Sequence, residues 1–121
     1  MEFFIDKVEK KLIISCSILK KLGFGEGKLE INLRNIVSIK EGIMIKKKFI
    51  EAKVQKTKDL FVAKFSNFGV NYLYLFRKLK DFMFLTIKLK NEKINYLIIN
   101  LTKEEYKMLE LNLKELLKET N

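Results

Sequence analysis

The chain has no histidine, no proline and no tryptophan, and holds one cysteine, five glycines and two arginines in 121 residues. Without histidine there is no imidazole to serve as general base or metal ligand, and no Ser-His or Cys-His nucleophile pair. A lone Cys16 forms no internal disulfide and matches no zinc-finger or zinc-ribbon spacing, which fits a reducing compartment. The carboxylates offer little in compensation. Glu104 and Glu105 are adjacent on a helical pattern and face different ways, while Glu41, Glu51 and Asp59 stand among lysines. A non-enzymatic protein, without metal or cofactor, is the expectation.

Long apolar runs are also missing, and nothing approaches the ~18 residues that a membrane-crossing helix requires. Ile13-Ile14-Ser15-Cys16 loosely fits a lipobox, but only Leu12 to Ser15 form an apolar run before the cysteine. Glu2, Asp6 and Glu9 stand where a signal peptide carries positive charge, so export is not expected. Cytoplasm is the expected location, with peripheral contact at the inner membrane surface left open.

What is present is a foldable, basic chain. Apolar residues make up 48% and charged residues 33%, outside the range in which chains stay disordered, and the length suits one domain spanning residues 1–121. Net charge is +10, almost all from lysine. Enrichment in Lys, Ile and Asn matches the codon bias of an AT-rich genome. Lysine lacks the planar fork with which arginine reads guanine or phosphate, so base-specific recognition is poorly supported.

Period-two alternation marks strands across about residues 3–101. Leu12, Ile14, Cys16 and Ile18 alternate with Ile13, Ser15 and Ser17, which predicts a strand from Leu12 to Leu19 with Cys16 inward. "GFGEG" is a loop, because a P-loop needs a following Lys-Ser/Thr and here "KLEINL" continues as a strand through Leu29, Ile31 and Leu33. "NIVSIKEG" adds a short strand. Ile50, Ala52 and Val54 followed by "QKTKD" and "LFVAKF" predict a hairpin with Lys56 and Lys58 at its tip and Lys46, Lys47 and Lys48 at its base. "VNYLYLFRKL" tilts toward strand, and "DFMFLTIKLK" with "INYLIINL" forms a second hairpin. Then the period changes. Thr102 and Glu105 form a capping box, and Tyr106, Leu109, Leu113, Leu116 and Leu117 recur at helical spacing over about 103–119. The leucine stripe belongs to a core, or to a dimerising or protein-binding helix by the same pattern. The helix's mixed charges disfavour a basic membrane-lying helix.

About seven short strands followed by one amphipathic helix is the element order of a pleckstrin-homology-like barrel. "LEINLRNIVSIKEG", "FGVNYLYLFRKLKDFMFLTIKL" and "YLIINLTKEEYKMLELNLKELL" resemble the strands, the glycine-then-aromatic hairpin and the capped helix of bacterial and archaeal PH-like domains. The resemblance implies a half-open barrel of about seven antiparallel strands capped by the helix, used as a binding platform. The lipid-binding pattern is incomplete here, since "KKLGFGEG" supplies Lys20 and Lys21 without an arginine on the next strand.

Residues 40–58 carry +5 and residues 77–93 carry +4, nearly the whole excess. These segments make a contact surface if they share a side, and solvated, edge-protecting lysines if they do not. The candidate contact residues are Lys46, Lys47, Lys48, Lys53, Lys56 and Lys58, with Arg77, Lys78 and Lys80 beside them. The expected partner is another protein or a second copy, through an acidic surface, or an anionic membrane. The alternative is nucleic acid, for which Tyr72, Tyr74, Phe76, Phe82 and Phe84 offer stacking rings where they are exposed; core filling is the competing role for most of them.

Overall fold

Strands β1 (Glu2–Asp6), β2 (Lys11–Ser15) and β3 (Lys28–Asn32) pair antiparallel, with Phe3, Ile14 and Leu29 in one cross-strand row and Ile5, Leu12 and Ile31 in the next. Because successive side chains alternate between faces, these rows form one apolar surface, and all but half-buried Phe3 are buried. The computed structural model from which this follows describes residues 1–42 and 51–120.

Between β2 and β3 the chain departs from its expected course. The strand ends at Ser15 rather than at Leu19, and Ile18 begins a single helical turn, α1 (Ile18–Lys21). Alternation predicts opposite faces for Ile18 and Leu19, and the helical turn buries both. Cys16 is half-buried against the core. Its N–H donates to the Gly27 carbonyl at 2.8 Å, closing the loop. Gly27 sits at φ +80°, and a Cβ there would lie 2.8 Å from the Cys16 carbonyl oxygen, so the position requires glycine. Lys64 ties this loop to the second sheet, with Nζ 3.4 Å from the Leu22 carbonyl and 5.3 Å from the Phe24 ring centre.

Leu33 lies in a 3₁₀ turn (Leu33–Asn35) rather than in β3, because Asn32 caps that turn by accepting from the Arg34 N–H at 2.9 Å. The remaining strands are β4 (Ile36–Glu41), β5 (Glu51–Lys56), β6 (Leu60–Asn67), β7 (Val70–Arg77), β8 (Met83–Leu89) and β9 (Tyr96–Leu101). They form a six-stranded sheet in the order β4-β8-β9-β7-β6-β5, leaving β4 and β5 at opposite edges. Both expected hairpins are present, as β5–β6 and β8–β9. The β6–β7 turn is two residues, Phe68 and Gly69, both at positive φ, the geometry that matches the twist of a hairpin.

One pairing differs in kind. β7 runs parallel to β9, with Tyr72 opposite Tyr96 and Leu75 opposite Ile99. Beyond Ile99 the fully buried Asn100 continues the connection with its side chain, accepting from the Arg77 N–H at 2.9 Å and donating to the Arg77 carbonyl at 2.7 Å. The described residues therefore form nine strands in two sheets with no closed barrel, in place of about seven antiparallel strands.

Both sheets contribute to one core. Val62, Leu73, Leu75, Leu85, Ile87, Leu97 and Ile99 face the three-stranded sheet, and Leu109 and Leu116 of α2 (Lys103–Thr120) join them. Truncating any one of these leucines to alanine costs about 2–5 kcal/mol. Of the leucine stripe, Leu109 and Leu116 belong to the core, Tyr106 and Leu113 pack partly against it, and Leu117 is exposed. The expected capping box is formed: Thr102 N–H donates to Glu105 Oε1 at 2.9 Å and Glu105 N–H to Thr102 Oγ1 at 3.2 Å.

Candidate binding surface

The sequence of β7 decides which face of the large sheet is which. In "YLYLF" the leucines Leu73 and Leu75 are fully buried in the core, so Tyr72, Tyr74 and Phe76 stand on the opposite face, turned away from it. Cross-strand register adds Phe61 beside Phe76 and Tyr96 beside Tyr72, while Phe84 stands opposite Asn100. The rings touch one another in a continuous series. Phe61 meets Tyr74 edge-on at 5.9 Å between centroids; Tyr74 stacks on Phe84 at 6.1 Å, Phe84 on Phe76 at 5.6 Å, and Phe82 meets both phenylalanines edge-on. Tyr72 and Tyr96 stack at 5.0 Å. The small Asn100 side chain lets Phe76 and Phe84 meet over the intervening strand.

These aromatic residues are half-buried by each other, and Phe82 is 40% exposed. The aliphatic residues between them, Ala63 and Ile98, are fully buried beneath the rings. Burial raises the Tyr74 hydroxyl above its ordinary pKa. The expectation of core filling fails for this set because leucine takes the core positions of the same strands.

Within the described strands, the outward positions of this face carry charge of one sign. Outward register positions of the six-stranded sheet hold Lys40, Lys56 and Lys88 and no aspartate or glutamate. Lys56 is in register with Phe61. Lys58 lies in the following turn, and the Lys78 N–H donates to the Asp59 carbonyl at 3.0 Å, joining the β5–β6 turn to the β7–β8 connection. The structure thereby brings Lys56, Lys58, Lys78 and Lys80 to one end of the aromatic face, all exposed, together with the exposed Asp59 and Asp81, which follow Lys58 and Lys80 in sequence.

The other predicted contact residues separate from this group. Lys53 occupies the opposite face of β5, in register with Lys64. Lys46, Lys47 and Lys48 lie outside the described residues. Arg77 is taken up internally. Its guanidinium donates to both oxygens of Glu105, at 2.9 and 2.6 Å, and to the Asn100 carbonyl at 2.6 Å, and lies 5.7 Å from the Phe3 ring centre. The side chain is only 12% exposed. Burial pushes the Glu105 carboxyl up, but the Arg77 and Thr102 hydrogen bonds outweigh it and hold the group below its ordinary pKa. Arg77 thus anchors α2 to β7.

Elsewhere, a groove of about 560 Å³ opens between α2 and β4, lined by Ile36, Ile39, Tyr106 and Leu113 among others. A hydrogen bond with Glu110 raises the Tyr106 hydroxyl's pKa there. Among the described residues no group of three Cys, Asp or Glu is placed to hold a metal, and no helix is long and apolar enough to cross a membrane. No family model matches the chain, and comparison with curated proteins and with solved structures finds no match.

Proposed function

We propose that the chain is a non-enzymatic binding module that docks an anionic partner on the outer face of its six-stranded sheet. The observation that carries this is the composition of that face: touching aromatic rings bordered by four exposed lysines and two aspartates, with no carboxylate at the outward strand positions among the described residues. Rings supply a large contact area at little conformational cost, and lysines supply long-range attraction. The binding-platform role implied by the resemblance to PH-like domains is retained, with this face rather than a half-open barrel as the platform. A second copy of the chain suits the face poorly, since two lysine borders would meet and like charges across an interface repel.

The test compares two triple charge reversals on an immobilised polyanion at physiological salt. K56E/K58E/K78E alters the border of the face; K103E/K107E/K118E makes the same net change on exposed positions of α2. The first is expected to abolish retention and the second to leave most of it. Equal losses would show that net charge alone holds the protein, and would sink the docking surface.

A further inference from the structure

We infer that the anionic partner is single-stranded nucleic acid, its bases stacking on the aromatic face and its phosphates running along the lysine end. This rests on the docking reading above and specifies its occupant. A single strand presents a flat π-face and a negative charge with every nucleotide, which matches a surface where rings and lysines adjoin. Phe61 is the register partner of both Lys56 and Phe76. Phe82, two residues beyond Lys80, touches Phe76 and Phe84 and is the most exposed ring of the series. An acidic peptide would satisfy the lysines but has no repeating ring to lay on the phenylalanines.

Chemistry also limits what is recognised. Lysine contacts phosphate as a point charge, and aromatic stacking accepts any base, so the surface binds single strands with little sequence preference. A duplex is a poor fit. Its bases are already stacked on each other, and this broad sheet face presents neither a helix nor a two-stranded ribbon to a major groove.

The experiment measures fluorescence anisotropy of labelled oligouridine and oligodeoxythymidine, with a DNA duplex and polyglutamate as parallel ligands, over a series of salt concentrations. If all four exposed lysines meet phosphates, log affinity falls against log salt with a slope of about −3 for single strands, shrinking to about −1.5 in K56A/K58A. Phe82→Ala should weaken binding about tenfold or more, whereas Phe82→Trp, which restores a ring, should recover it at unchanged salt slope. Phe82 is exposed enough that both variants retain the fold, which circular dichroism checks. Equal affinity for duplex and single strand, or no effect of Phe82→Ala, would overturn the inference in favour of simple charge adsorption. Binding of polyglutamate but not of either oligonucleotide would overturn the nucleic-acid assignment while leaving the docking face intact. Loss of the face itself is read separately, from the paired charge reversals on the polyanion.

Discussion

Replacing Arg77 by methionine tests whether this residue belongs to the interior or to the contact surface. The side chain is 12% exposed and its partner Glu105 21%, and the pair is joined by two hydrogen bonds, with a third from Arg77 to the Asn100 carbonyl. Exposed ion pairs contribute about 0–1 kcal/mol, whereas removing one member of a buried pair costs about 3–5 kcal/mol, because the remaining charge is left without compensation. Partial exposure places Arg77→Met near the lower end, at about 3 kcal/mol. For a chain of this size each kcal/mol shifts the midpoint by about 4 °C, so Tm should fall by about 12 °C. Thermal and urea unfolding followed by circular dichroism would read this. At a temperature where both proteins are folded, affinity for oligouridine should stay within about twofold, as no base or phosphate reaches a guanidinium occupied by Glu105 and Asn100. A destabilisation under about 1 kcal/mol, or a large loss of binding at full folding, would refute the assignment.

Two further outcomes follow from the same geometry. Glu105 has a folded-state pKa below its unfolded value of about 4.3, so its contribution is present above that value and is lost as pH falls through the lowered one. Unfolding free energies measured across the acid range should show wild type more stable than Glu105→Gln near neutrality, with the difference vanishing on acidification; a gap that persists in acid would contradict this sign. Gly27→Ala should cost about 1–3 kcal/mol through its positive φ and the 2.8 Å approach to the Cys16 carbonyl, measured by urea denaturation, and a neutral result would mean the loop relaxes freely.

Local patterning made much of this legible. The alternations in "KLEINL" and "FLTIKL" and the Thr102–Glu105 capping box each describe their own stretch of backbone, and each element stands where its pattern puts it except that Leu33 leaves β3 for the 3₁₀ turn. The extension of β2 to Leu19 failed because apolar alternation does not register the helical turn that begins at Ile18 and buries both Ile18 and Leu19. The parallel β7–β9 pairing was not legible at all, since strand patterns fix which face a residue takes and not which strand lies beside it. Its one trace is Asn100, a polar residue inside the apolar run "YLIINL" that buries itself by bonding to the neighbouring backbone. For the candidate site, both sets of alternate residues in β7 are apolar, so period two leaves the choice of core face open. Leucine fills the interior and the rings go outside. Phe61 and Tyr96 join them through cross-strand register, which no single segment encodes.

The place of β9 in the sheet has a consequence for how the protein is made. It is the last strand along the chain, yet it lies inside the sheet, between β8 and β7. Before it inserts, β5, β6 and β7 can pair as a local meander, and β4 can meet β8 only by closing a long loop; among the described strands no pairing other than through β9 joins the two halves, which the chain connects through residues 78–82. Such non-local closure is slow, in the range of milliseconds to seconds for β-rich domains. β9 acts as a keystone. Phe76 and Phe84 come from the two halves and meet only across it, so the part of the aromatic face that spans the halves depends on β9 being in place, whereas the Phe61–Tyr74 contact lies within the β6–β7 pair.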